Sequence, residues 1–363
     1  MMHVLNRKLQ DYLRPKRLTI GRFFWDKKIK KINIFKENII EKNKVKSILF
    51  LRYDGKIGDM VINTMLFREI KKQYPKIRIG IVSRGGATDV ILHNKYVDKI
   101  YNYSKKRKNI KILANEISKD SYDLLIDFST LLKVNQMMFI NLCNARINLG
   151  VEKQEWKLFD LSIDEIDYSK HISYFYIKLL KKLGIKNIDE SYDIQLSNDE
   201  EKIGIFLQNK NEKGYMIFNP YAASKHRSFN VEKSIDIGKV LLKKRQESLI
   251  LIGTEDHMED LLKIQKTLGD RVFIPKLNGI LEVASIIKNS KLVVTPDTSI
   301  IHIAVAYDRN IIGIYRKEKG DQNSLLWGPN SKKAKVIFVE EDVKKGEEVN
   351  INKLNINQIR EVL

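Results

Sequence analysis

One alternation organises this chain: short β-rich apolar runs, each followed by a turn and a helix-spaced amphipathic stretch, recur from Ser47 onward, pause once, and resume. The run "SILFLR" (Ser47 to Arg52) leads through a glycine-containing turn, "YDGKIGD", into "MVINTMLFREIKKQY". There Val61, Ile62, Met65, Leu66 and Ile70 recur at helical spacing. Pro75 ends that helix and "IRIGIV" (Ile77 to Val82) is the next strand, which makes a βαβ unit. Val97 to Tyr101, Asp123 to Phe128 and Ala145 to Gly150 read as further strands, with "NIKILANEISK" as an intervening helix. An amphipathic helix from His171 to Ile185, closed by Gly184, is followed by a polar, acidic stretch from Asn187 to Lys202 that reads as a linker. The pattern then restarts, with strands at Tyr215 to Pro220, Ser248 to Gly253, Arg271 to Ile274, Lys291 to Pro296 and Asn310 to Tyr315.

Such alternation argues for an α/β fold with parallel sheets covered by helices on both faces. A chain of 363 residues also exceeds what one ordinary core organises. We therefore expect two Rossmann-like, doubly wound domains over residues 47–190 and 203–340, flanked by a basic extension (1–46) and a tail (341–363). The tail is expected to return to the first domain as a helix. Ligands of open α/β sheets bind beyond the carboxyl ends of the strands, so the site should face the cleft between the domains.

The charge balance, 66 Lys and Arg against 45 Asp and Glu, gives a net of +21 and predicts an anionic partner. Residues 1–46 hold 14 of the cations and 4 of the acids, mixed with Phe23, Phe24 and Trp25. Basic and aromatic residues together on a helix suit the headgroup layer of an anionic membrane, and equally suit an extension that packs on the main body. No helix-turn-helix, finger or RNA-binding signature accompanies the charge, so nucleic acid is not expected. No run of about 18 uncharged apolar residues is present, no secretory pattern opens the chain, and a lone cysteine, Cys143, has no internal partner. These features point to the cytoplasm.

Three segments carry chemistry. In "YDGKIGD", Gly55 and Gly58 allow close approach of a ligand, Lys56 lies between them, and Asp59 stands at the start of the following helix. Taken alone, Asp59 is equally a residue that favours a helix N-terminus. "NPYAASKHRSF" (Asn219 to Phe229) follows a strand, with small residues that admit a ligand and with Lys225, His226 and Arg227 to carry positive charge into the loop. Fixed cations of this kind suit a diphosphate leaving group. In "VVTPDTSIIHIA", Asp297 follows the strand directly, Thr298 or Ser299 starts the helix, and His302 falls one turn later. The unpaired N–H groups of that helix start are an anion site.

In this order the three segments resemble glycosyltransferase family 9, the ADP-heptose:lipopolysaccharide heptosyltransferases. The family opens on a strand and a Gly-Asp turn, matched by "ILFLRYDGKIGDMVINT". It continues with an Asn-Pro-Gly-Ala-Ser-like loop before a Lys-Arg-Trp element, matched by "NPYAASKHRSF", and closes on Asp-Thr/Ser-Gly-x-x-His, matched by "VVTPDTSIIHIA". The resemblance runs from Ser47 to at least Gly328 and implies the GT-B architecture, with the acceptor in the N-terminal domain and the nucleotide-sugar in the C-terminal one.

By resemblance, Asp59 matches the proposed catalytic base, and Arg227 the phosphate-binding lysine, with Lys225 beside it. Asp297, Thr298, Ser299 and His302 match the late donor-binding motif, and Glu255 stands where the family often has an acid near the nucleoside. Tyr221 replaces the glycine after Asn-Pro, Phe229 the tryptophan, and Ser299 the glycine of the late motif. The expected reaction is inverting, metal-independent transfer of heptose from ADP-heptose to a lipopolysaccharide or lipooligosaccharide core, at the cytoplasmic face of an anionic membrane and with no cofactor. Transfer of another sugar to a capsular or lipid-linked glycan, and non-catalytic binding of an anionic polymer, remain the alternatives.

Overall fold

The computed structural model describes residues 2–28, 33–163, 166–317, 323–341 and 348–363. Parts of the basic extension (29–32) and of the tail (342–347) lie outside the described residues.

The first six strands are β1 (Ser47–Leu51), β2 (Arg78–Ser83), β3 (Lys99–Asn102), β4 (Leu124–Asp127), β5 (Ile147–Val151) and β6 (Leu161–Ile163). They form one parallel sheet in the order β3-β2-β1-β4-β5-β6. The next six are β7 (Tyr215–Phe218), β8 (Ser248–Leu251), β9 (Val272–Phe273), β10 (Leu292–Pro296), β11 (Asn310–Arg316) and β12 (Ala334–Val339). Their sheet, ordered β12-β11-β10-β7-β8-β9, repeats the same topology, with its first and fourth strands adjacent. All five residues of β1 and of β10 are buried, as expected of central strands covered on both faces.

Helices of the first half are α1 (Met2–Trp25), α2 (Ile39–Lys42), α3 (Ile57–Gln73), α4 (Gly86–Asp89), α5 (Arg107–Lys119), α6 (Val134–Cys143) and α7 (Ile172–Leu183). The second half adds α8 (Asn198–Lys210), α9 (Val231–Lys244), α10 (Met258–Leu268), α11 (Ile280–Lys288), α12 (Ser299–Ala306), α13 (Asn323–Leu326) and α14 (Ile356–Val362). The halves meet where α12 packs on α3. Met60 and Val61 share one apolar cluster with Ile300, Ile303 and Ala304, so the seam is part of the core.

The basic segment is built into the first half. Gly21 lets α1 lie close on α6: a Cβ there would come within 2.7 Å of Val134 Cγ2. Asp26 accepts the Leu158 N–H at 2.9 Å, Arg22 donates to the Glu155 carbonyl at 2.9 Å, and Ile39 and Ile40 are buried. One face remains outside, where Ile20, Phe23 and Phe24 are 60%, 80% and 54% exposed.

Two expectations need correction. The tail does not return to the first half: α14 packs on α9 and β12, and buries Ile359 in the second core. Its apolar residues complete the sheet nearest in sequence. The stretch from Asn187 to Lys202 is also not linker throughout, because Ser197 caps α8. Ser197 Oγ accepts the Glu200 N–H at 3.3 Å while the Glu200 carboxylate accepts the Ser197 N–H at 2.7 Å, a capping box that is readable in "SNDE".

Candidate functional site

The turn after β1 begins with an arginine that is 5% exposed, Arg52. Its Nη2 donates to Asp59 Oδ2 at 2.5 Å and to Asp54 Oδ2 at 3.0 Å. Burial works against the Arg52 charge, and Asp59, followed by Tyr176 and Asp54, more than offsets it, so its pKa lies above the ordinary value. Gly55 takes the left-handed conformation (φ 76°) that lets the chain double back, and α3 then opens with Asp59 in its first turn. Lys56 Nζ stands 4.0 Å from Asp59 Oδ2 and 5.6 Å from the Trp327 ring centroid, so the second half contributes to this corner. Arg52, Lys56, Asp59 and Trp327 line a cavity of about 480 Å³.

The far wall of that cavity is fixed by a buried network at the end of β4. Asp127 accepts hydrogen bonds from Tyr53 Oη at 2.8 Å and Ser129 Oγ at 2.6 Å, and burial raises its pKa. The Lys153 ammonium donates to the carbonyls of Ser129 (2.6 Å), Thr130 (2.9 Å) and Val151 (2.7 Å). Burial lowers the Lys153 pKa.

In the second half, a cavity of about 630 Å³ sits beyond the ends of β7, β8 and β10, lined by Asn219, Tyr221, Glu255, Asp297, Thr298 and Ser299 among others. Thr298 Oγ1 caps α12 by accepting the Ile300 N–H at 3.3 Å. Asn219 Nδ2 donates to Thr295 Oγ1 at 3.0 Å and to the Tyr221 carbonyl at 2.9 Å, which ties the two loops together. Arg227 Nη1 reaches Asp297 Oδ2 at 3.6 Å. Arg227 and Lys225 share one 3-10 turn, but neither lines this cavity, and Lys225 is exposed. The Tyr221 ring stacks on His257 with centroids 3.8 Å apart, and burial pushes the Tyr221 pKa up to about 12.

Between the cavities runs the seam. His302 packs on Gly58: a Cβ at Gly58 would lie 2.6 Å from His302 Cδ2. Asp59 therefore directly follows the residue that touches α12. Burial lowers the pKa of His302 from 6.5 to about 4, and burial and then His302 lower that of His171 to about 4 as well. Both imidazoles are neutral in the folded state and take up protons more readily once unfolded. Their contribution to stability is thus complete above about pH 6.5 and is lost as the pH falls toward 4. The melting temperature should drop through that window, by the equivalent of about 3 kcal/mol for each imidazole. A His302→Gln variant should show a shallower drop; an unchanged pH profile in that variant would contradict the assignment.

The structure thus brings Asp59 and Lys56 to one cavity and Glu255, Asp297, Thr298 and Ser299 to the other, with Gly58 and His302 in contact between them. Arg52 was not among the residues singled out from the sequence, although an arginine ending an apolar strand run was a readable signal. Nothing local in sequence marked Trp327, Lys153 or Asp127, which lie far from the turn they support.

Two parallel sheets of one topology, joined at a seam with a cavity on either side, define a GT-B fold. Residues 110–355 match the profile of glycosyltransferase family 9 (heptosyltransferase). A candidate lipopolysaccharide heptosyltransferase 4 of Escherichia coli strain K12 is 25% identical over 317 residues, covering 83% of this chain and 84% of its own length. A glycosyltransferase family 9 structure from Veillonella parvula superposes with a TM-score of 0.74 at 15% identity, covering 91% of this chain and 97% of that one. The Escherichia coli heptosyltransferase WaaC, solved with ADP, superposes at 0.68 with 15% identity, covering 87% of this chain and 98% of that one. The chain belongs to glycosyltransferase family 9. It is a glycosyl-transferring enzyme.

Proposed function

We propose that this enzyme moves a heptose from ADP-heptose to a lipopolysaccharide or lipooligosaccharide core, with inversion and without a metal ion. The observation that carries the reading is the position of Asp59, fixed by Arg52 in one cavity and only one residue from the Gly58–His302 contact with the helix of the other. The acceptor hydroxyl attacks the anomeric carbon and its proton passes to Asp59. The new C–O bond forms as the bond to the β-phosphate oxygen breaks, and that oxygen keeps the electron pair. Arg227, Lys225 and the first N–H groups of α12 face the growing charge, which preorganised electrostatics stabilise without rearrangement. Nucleotide choice is tested by thermal shift with ADP, UDP, GDP and CMP. Saturating ADP should stabilise by roughly 3 kcal/mol at a hundredfold excess over Kd, and the others by far less. A response to UDP or GDP in place of ADP would favour another sugar donor, a reading supported by Tyr221 and Ser299 in the lining where the family carries glycine. No response to any of the four would favour a non-catalytic binder.

The acceptor class and the +21 charge support a working position on the cytoplasmic face of the inner membrane, held peripherally. No helix among the described residues is long and apolar enough to cross a membrane. The exposed Ile20, Phe23 and Phe24 of α1, flanked by cations, supply the contact. Replacing both phenylalanines (Phe23→Asp with Phe24→Asp) should reduce sedimentation with anionic vesicles about tenfold or more. Unchanged sedimentation would remove α1 from that role.

A further inference from the structure

A third cavity, of about 650 Å³, adjoins the one at Asp59 and shares Tyr53, Asp54, Lys133 and Gln136 with it. Among the described residues, its lining holds four cations, Arg17, Arg84, Lys105 and Lys133, and one carboxylate, Asp54, which is bonded to Arg52. We infer that this cavity is an anion subsite for the acceptor, taking a phosphoryl or carboxylate group on a sugar near the one that receives the transferred residue. The inference deepens the acceptor-side reading proposed above and rests on it.

Three features build the subsite. Arg84 is held in place, its Nε donating to the Tyr53 carbonyl at 2.7 Å and its Nη2 to the Asp54 carbonyl at 2.6 Å, so its charge is preorganised at the cavity wall. Tyr103 lies beside it with its ring 5.2 Å from that of Tyr53, a flat apolar wall suited to a sugar face. Arg17 comes from α1, four residues before Gly21 and on the same helix face; the close approach at Gly21 is what brings it over the start of α6. The first turn of α6 also borders the cavity, and its dipole adds to the positive potential.

The test is lysine acylation on the full chain, read residue by residue, with ADP present. Glucose 6-phosphate or glucuronate should slow labelling of Lys105 and Lys133, whereas glucose should not. Arg17→Gln should raise the half-protecting concentration about tenfold, as expected for loss of a charged hydrogen-bonding partner. The ADP-induced thermal shift should be the same in variant and parent. Lys133→Gln, read at Lys105, gives an independent variant should Arg17→Gln disturb α1. Failure of both anionic sugars to protect overturns the inference. So does protection only by phosphatidylglycerol vesicles, which would make the cations a lipid-headgroup site, or equal protection of exposed lysines elsewhere, such as Lys213 and Lys244. Because the ADP response reports the other cavity, its loss with protection intact would count against the donor reading alone.

Discussion

Asp59→Asn should lower kcat by roughly 10² to 10⁴-fold, the range expected for loss of a general base. The substitution keeps the shape of the side chain and an oxygen that can accept from Arg52, so the turn should hold. Asp54, which also accepts from Arg52 at 3.0 Å, retains a negative charge beside the guanidinium. What disappears is a carboxylate able to take the hydroxyl proton. The thermal response to ADP should survive, because Asp59 lines the cavity at Arg52 and Trp327 rather than the one at Asp297. Near-normal turnover in a folded, ADP-responsive Asp59→Asn enzyme would show that the proton leaves by another route.

Arg52→Met should cost about 3 kcal/mol of stability, because it leaves a carboxylate without the cation that holds it in a largely dry place. Methionine fills much of the same volume, so the loss reports charge more than packing. Activity should fall with it, since an acid no longer oriented by a buried guanidinium samples positions from which the acceptor is out of reach. The two effects can be separated by a double-mutant cycle. Combined with Asp59→Asn, the stability terms should show a coupling of about 1–3 kcal/mol. Additive costs would mean that Arg52 supports the turn through Asp54 and the Phe128 ring, 5.5 Å from the guanidinium carbon, and not through Asp59.

Much of this fold was legible because parallel strands advertise themselves. Runs such as "SILFLR" and "KLVVTP" are apolar on both faces, and the turns that follow them carry the residues that a cleft uses. Short elements escaped for the same physical reason in reverse: β6 has three residues, and β12 alternates partly exposed positions at a sheet edge, so neither rises above the background. The contact of His302 across the seam was not legible. Helical spacing places it near Ser299, yet its surroundings are set by Gly58, 244 residues earlier, and no local pattern reports that. Lys153 was invisible on similar grounds, since a lysine reads as solvent-facing until three carbonyls surround it.

The helix that carries Phe23 and Phe24 outward also carries Arg17 into a cavity wall. Six residues separate Arg17 from Phe23, about 9 Å along the axis. A catalyst resting on lipid through those two rings would hold its binding surfaces at a fixed elevation above the bilayer. Sugars near the lipid would then fall within reach and those on a longer chain would not, and that elevation would act as a ruler on how far the glycan has grown.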